Sequence, residues 1–135
     1  MARRKLSQIV PEIRKAVDKG FAEFLAVTQG QLMDANPADT GRMASSWYIG
    51  HNSPNRTTRP EDWAPPGAKK REAPEYTGKI SFAGDWYVSN SVPYAERVAL
   101  DPRWAKGGAG GAAWFRAITT QLPRRMDTYI QKYLP

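Results

Sequence analysis

Apolar side chains recur every three or four residues between Leu6 and Leu32, near the start of the chain. This spacing places them on one stripe of an amphipathic helix. Proline is best tolerated in the first turn of a helix, so Pro11 predicts that the regular helix begins near Val10. The residues before it, 1–10, are expected to form a basic arm.

A turn and a strand are predicted after this helix. Asn36 precedes a proline and is therefore restricted to extended conformations, so the helix should end by about Ala35. Residues 39–41, with the sequence Asp-Thr-Gly, predict a tight turn, because Asp caps local amides and Gly accepts a positive φ. Alternating positions from Met43 to Ile49 have the period of a strand with one buried face.

Two further elements are predicted in the second half of the chain. Alternation on either side of a short Ala-Gly-Asp turn predicts a hairpin over residues 79–89. A turn then leads into a short helix over 94–100, with Ser91 or Asn90 near its N-cap and Pro93 in its first turn.

The last periodic segment, residues 114–133, has one apolar face and predicts a C-terminal helix. Pro123 should kink or break this helix near Leu122. Together the elements predict an α+β fold, in which a long N-terminal helix and a C-terminal helix pack on a small antiparallel sheet with a long Pro-rich loop. The length fits a single domain over residues 1–135.

The Pro-rich loop covers residues 51–78, which contain five of the 11 prolines and no Leu, Ile or Val. Loops of this length in compact domains are usually functional or disordered. We expect the segment to be mobile in the free subunit and ordered against a neighbour, and we expect its deletion to leave the monomer folded. A Gly-rich joint at 107–111 is expected to connect flexibly to the last helix.

Composition limits the chemistry that the chain can perform. A hydrophobic content of 41% supports one core without a metal or disulfide staple, and the absence of cysteine excludes a disulfide framework and a thiol nucleophile. No apolar run approaches the roughly 18–20 residues of a membrane-spanning helix. We therefore expect a soluble protein with no cofactor and no membrane partner.

The charge balance points to partners. The chain has 20 Lys and Arg against 13 Asp and Glu, a formal charge of +7, which favours a nucleic-acid, membrane or acidic-protein neighbour. Acidic residues between the basic clusters argue against a dedicated nucleic-acid groove. Tryptophan and arginine in loops are typical anchors of protein interfaces. The predicted interface residues are Arg56, Arg59, Trp63, Lys69, Lys70, Arg71 and Trp104.

Catalytic signals are weak. His51 has no Cys or second His with which to share a metal. The pairs Glu61/Asp62 and Glu72/Glu75 could supply the acid and base of glycoside cleavage, but they lie in the Pro-rich loop, where solvated charge is the simpler interpretation. We expect a protein that is not an enzyme.

Two motifs carry a resemblance to a known family. Residues 37–43, Pro-Ala-Asp-Thr-Gly-Arg-Met, followed by Ser46 and Trp47, resemble the P-x-D-T-G-R-[LM]-x-x-S-[WI] signature of tailed-bacteriophage tail-completion or neck (head-to-tail connector) proteins. Residues 88–98 are similar to the family's strand, N-x-x-P-Y-A motif and short helix. The motif residues are Pro37, Asp39, Thr40, Gly41, Arg42, Trp47, Asn90, Pro93, Tyr94 and Ala95.

The resemblance implies an α+β virion protein of the head-to-tail junction, made in the host cytoplasm and located in the neck or tail region. It implies a homo-oligomeric ring, contacts with other phage neck or tail proteins, and genomic DNA that passes through without sequence recognition. The alternative is a small basic DNA-binding protein without sequence preference. A third hypothesis is a cell-wall glycan hydrolase.

Overall fold

A computed structural model describes residues 5–101 and 113–135 and has the predicted α+β architecture. Both long helices pack beside a two-stranded antiparallel sheet. Within the described residues, no helix combines the length and the apolar character needed to cross a membrane. Trp104 and the Gly-rich joint at 107–111 lie outside the described residues. The elements are α1 (Leu6–Ala35), β1 (Trp47–His51), β2 (Trp86–Asn90), α2 (Ala95–Leu100), α3 (Ala113–Thr119) and α4 (Leu122–Tyr133).

Helix α1 ends at Ala35 as predicted, but it begins at Leu6, and the expectation of a start near Val10 was wrong. The backbone amide of Lys5 donates to Oε1 of Gln8 at 3.2 Å, which fixes the first turn upstream of the proline. Pro11 therefore lies inside the helix, where it removes one backbone hydrogen bond. The remaining turns of a 30-residue helix tolerate that loss.

The sheet pairs strands that are distant in sequence. β1 runs antiparallel to β2, with Trp47 opposite Asn90 and His51 opposite Trp86. The predicted hairpin over 79–89 was wrong, because its first half forms no strand and Ile80 instead packs against the apolar cluster under the sheet. An alternating pattern identifies a face but not the strand with which it pairs.

The predicted strand over Met43–Ile49 was wrong in its first half. The Ser45 amide bonds to the Gly41 carbonyl and the Ser46 amide to the Met43 carbonyl, both at 2.9 Å, so these residues form a tight helical turn. The strand begins only at Trp47.

Proline positions the later helices. The predicted break near Leu122 is confirmed, because α3 ends at Thr119 and Pro123 lies in the first turn of α4. Pro93 was expected in the first turn of the short helix, but α2 begins at Ala95 after the N-cap Tyr94. Pro93 therefore belongs to the turn that leads into α2.

Two apolar clusters form the core. One surrounds Trp47 and joins the C-terminal part of α1 to α2 and α3, with Phe115 stacked on Trp47 at a centroid distance of 6.0 Å. The other surrounds Phe21 and Phe24 and joins the middle of α1 to β1, β2 and α4. Val88 of β2 packs against both clusters, so the sheet connects them.

Helices α1 and α4 approach each other most closely at Gly20. A Cβ at this position would lie 2.4 Å from the Tyr129 carbonyl oxygen and 2.6 Å from Cα of Ile130. Next to this crossing, the Glu23 carboxylate accepts hydrogen bonds from Lys132 and Tyr133, and these bonds hold the pKa of Glu23 below its ordinary value. The crossing thus combines backbone contact with a charged pair.

We predict that Gly20→Ala lowers the free energy of unfolding by about 1–3 kcal/mol, because the added methyl pushes α4 away from α1. Gly30→Ala is the matched control on the same helix, since nothing lies within 4 Å of its Cβ position. That change should raise the free energy of unfolding by about 0.5–1 kcal/mol through helix propensity. Urea denaturation of both variants measures the effect, and equal stability of the two would contradict the crossing geometry.

Candidate interaction cleft

The Asp-Thr-Gly turn is bound to the long segment at residues 52–78, here named the strap. Asp39 accepts twice from it, its Oδ1 from the Gly67 amide at 2.6 Å and its carbonyl from the Lys69 amide at 2.8 Å. The Thr40 carbonyl accepts from the Lys70 amide at 3.0 Å. The first motif therefore fixes residues 67–70, near the middle of the strap.

Gly41 is required at this contact for two reasons. Its φ of +90° lies in the region that favours glycine. A Cβ there would also lie 1.9 Å from the Lys70 carbonyl oxygen, which no side chain permits. The structure thus explains the motif glycine by both its conformation and the close approach of the strap.

Two buried serines connect the strap to the turn before β1. Ser45 Oγ donates to the Lys70 carbonyl and accepts from the Glu72 amide, both at 2.9 Å. Ser46 Oγ donates to the Arg42 carbonyl at 2.6 Å and accepts from the Arg59 amide at 2.9 Å. This role of Ser45 and Ser46 was not predicted from the sequence. The available signal was that these two small polar residues interrupt an otherwise apolar run.

Several residues predicted to face a partner make contacts within this chain. The Arg59 guanidinium donates to the carbonyls of Ser45 at 3.0 Å and Glu72 at 3.1 Å, and it lies 4.6 Å from the ring centroid of Trp63. The Trp63 indole donates to the Lys70 carbonyl at 3.0 Å. Arg59 and Trp63 therefore hold the strap together.

Arg71 likewise has an intrachain role, because it donates to the carbonyls of Met33 at 3.2 Å and Asn36 at 3.0 Å. A cation at the C-terminus of a helix satisfies the last carbonyls and stabilises the helix dipole. Arg56, Lys69 and Lys70 are exposed.

The expectation that deletion of the strap leaves the monomer folded overlooked the contacts of the strap with α1 and the core. Nε2 of the buried Gln29 in α1 donates to the Trp47 carbonyl of β1 at 2.8 Å and to the Pro74 carbonyl of the strap at 2.9 Å. Pro74 is itself buried, and Tyr76 packs against the cluster around Phe21. Deletion of the strap would remove one hydrogen-bond acceptor of the Gln29 amide and would expose part of the cluster around Phe21.

The second motif meets the first at Asn90. Its Nδ2 donates to the Met43 carbonyl at 2.7 Å, while its Oδ1 accepts from the Val92 amide at 3.3 Å and shapes the turn into α2. Beside it, the Trp47 indole donates to Oδ1 of the fully buried Asn36 at 3.0 Å. The two motifs thus form one hydrogen-bonded unit. Their order along the chain does not show this contact.

A cleft of about 730 Å³ lies between this unit and α2. Its rim carries three cations, Lys69, Arg71 and Arg97, and one carboxylate, Asp39. The apolar part contains the buried Met43 and Val98 and the exposed Tyr94. The remaining lining residues are Ala35, Asn36, Pro37, Ala38, Thr40 and Gly41.

The candidate catalytic residues are not brought together in the cleft. His51 stacks on Trp86 with a centroid distance of 4.0 Å, and its Nε2 lies 3.0 Å from the Ala83 carbonyl oxygen. Among residues 5–101 and 113–135, no group of three or more His, Cys, Asp or Glu side chains could hold a metal ion. The cleft is basic and partly apolar, which suits it to binding.

Comparisons with family models, with curated proteins and with solved structures find no match for this chain. The resemblance to phage neck proteins therefore depends on the two motifs.

We predict that Arg59→Ala lowers the free energy of unfolding by about 1–3 kcal/mol, because it removes two hydrogen bonds and the stacking on Trp63. Arg56→Ala removes the same charge from an exposed neighbour in the strap and should change stability by no more than about 0.5 kcal/mol. Thermal and urea denaturation compare the two variants. An equal effect would show that Arg59 is a surface residue without a structural role.

Proposed function

We propose that this protein is a structural subunit of the head-to-tail junction of a tailed bacteriophage, and that its copies form a ring around the DNA passage. Its two family-like motifs support the proposal because they meet in one unit through Asn90 and Met43. Several motif residues have a structural task in that unit, such as the bonds that Asp39 accepts from the strap.

The observation that carries the proposal is the exposed start of α1. Contacts of α1 with α4 fall at Lys19, Gly20 and Glu23, well after the first turns of the helix. The apolar stripe nevertheless continues to the beginning of the helix, where Leu6, Val10 and Ile13 are 76%, 45% and 39% exposed. An apolar stripe of this kind on a projecting helix is typical of a protein contact.

We infer that a second copy of the chain covers this stripe, because the same chain also displays an apolar groove. The groove has a volume of about 610 Å³ and includes Phe82 and Tyr87, both exposed, beside Phe21. Contact between two unlike surfaces, repeated from copy to copy, closes into a ring when the rotation permits. Asp85 in the groove complements Arg14 and Lys15 on the projecting helix in charge.

The location in the virion can be tested directly in the phage that encodes the chain. Inactivating the gene should yield filled heads and separate tails, because the joining ring is missing, and a tagged copy should be labelled at the junction in electron micrographs. Restoration by the wild-type gene is the control. Joined, infectious particles without the protein, or label elsewhere on the particle, would contradict the proposal.

The ring contact can be tested with Leu6→Gln, Val10→Gln and Ile13→Gln combined in one variant. We expect its self-association, measured by native mass spectrometry alone and with neighbouring junction proteins, to weaken about a hundredfold, because three apolar side chains lose their burial. Glu61→Gln with Lys79→Gln, at exposed positions outside the stripe and the groove, keeps the net charge unchanged, is the control and should retain assembly.

Two results would overturn the ring assignment. One is a strict monomer for the wild-type chain in every mixture, and the other is equal assembly of the stripe variant and its control. Tight binding of duplex DNA at physiological salt would instead favour the alternative of a DNA-binding protein.

A further inference from the structure

We propose that the cleft beside the Asp-Thr-Gly turn binds an extended acidic segment of a partner protein, with one apolar side chain of that segment inserted between Met43 and Tyr94. The inference concerns the cleft alone and does not depend on the location of the protein in a virion. It is separate from the α1 stripe and from the apolar groove that the ring contact uses.

The charge of the cleft selects an anionic ligand. Lys69 and Arg71 approach it from the strap, and Arg97 approaches it from α2. Among the described lining residues Asp39 is the one that carries a carboxylate, and it already accepts the Gly67 amide at 2.6 Å. Cations collected in a concave site concentrate the positive potential there and attract carboxylates.

The apolar part of the cleft indicates that the ligand carries an apolar side chain beside its acidic groups. Met43 and Val98 are buried and belong to the core cluster, so they form a rigid apolar wall. Tyr94 is 40% exposed and places an aromatic ring at the same cleft. Tyrosine over an apolar recess is typical of sites that hold an apolar side chain within a polar rim.

The cleft is held in shape before any ligand binds. The bonds from the Lys69 and Lys70 amides to the turn measure 2.8 and 3.0 Å. Arg71 is held by the carbonyls of Met33 and Asn36. A preformed site binds with a smaller entropic cost, which favours recognition of a short flexible segment.

The concave shape favours a peptide over nucleic acid. Duplex DNA presents a convex backbone of phosphates, whose contacts need no apolar wall. A volume of about 730 Å³ accommodates a few side chains, and Met43 and Val98 would contribute nothing to a phosphate ligand. An acidic peptide uses both the cations and the apolar wall.

The test measures fluorescence anisotropy of a short labelled peptide in which Asp and Glu flank a central Leu-Phe pair. The wild-type chain should bind it with a micromolar dissociation constant at low salt. Lys69→Glu combined with Arg97→Glu should weaken binding at least about tenfold, because two attractions become repulsions. Lys79→Glu combined with Arg124→Glu makes the same change in net charge outside the cleft and should weaken binding no more than about twofold.

Two further probes separate the apolar contact from charge alone. A peptide with Ser-Ser in place of Leu-Phe should bind the wild-type chain several-fold more weakly, and Tyr94→Ser should reduce that difference without altering the charge. An oligothymidine strand of matching length should bind more weakly than the acidic Leu-Phe peptide.

Amide chemical-shift changes in the wild-type chain on titration with the Leu-Phe peptide locate the site without any substitution, so the test does not depend on the folding of a variant. They should concentrate at residues 37–41 and 94–98. Four results would each overturn the proposal. The first two are an equal loss of peptide affinity in the two charge variants and equal affinity of the wild-type chain for the Ser-Ser and Leu-Phe peptides. The others are tighter binding of oligothymidine than of the Leu-Phe peptide and chemical-shift changes concentrated outside residues 37–41 and 94–98.

Discussion

The side-chain amide of Gln29 joins α1, β1 and the strap, the segment that supplies Lys69 and Arg71 to the cleft. From within α1 it donates to Trp47 in β1 and to Pro74 in the strap, and both of its N–H groups are used. An unpaired donor in such a buried position costs about 1–3 kcal/mol. The strap therefore remains beside the helix, and the residues that it contributes to the cleft remain in register with α2.

Polar contacts hold the strap in place, although its composition suggested a mobile segment. Residues 52–78 lack Leu, Ile and Val, which correctly predicts that this fully described segment forms neither helix nor strand. The same composition led to an expectation that overlooked the contacts of the strap with the rest of the fold, because hydrogen bonds such as those of Ser45 depend on where distant carbonyls and amides lie. No local pattern encodes those positions.

The sequence predicted features that depend on local chemistry. The amphipathic stripe predicted α1, and the restricted residue before Pro37 predicted where α1 ends. Pro123 predicted the break before α4. The partner of β2 was missed, since alternation does not specify pairing across the 34 residues, 52–85, that separate the two strands. Some of the motif residues, such as Asp39 and Tyr94, line the cleft, but the cleft itself could not be predicted without knowing that Asn90 reaches Met43.

Pro11 gives the exposed start of α1 a property that a regular helix lacks. A proline there leaves the Ser7 carbonyl without its usual amide partner, and a helix bends most easily where one backbone bond is missing. The part of the helix before Pro11 is only about 7–8 Å long, so a bend of about 10° at the proline moves its tip by about 1 Å while the packed part stays fixed. Leu6 and Val10, before the proline, can thus adjust to a neighbouring surface without disturbing the packed part of the helix.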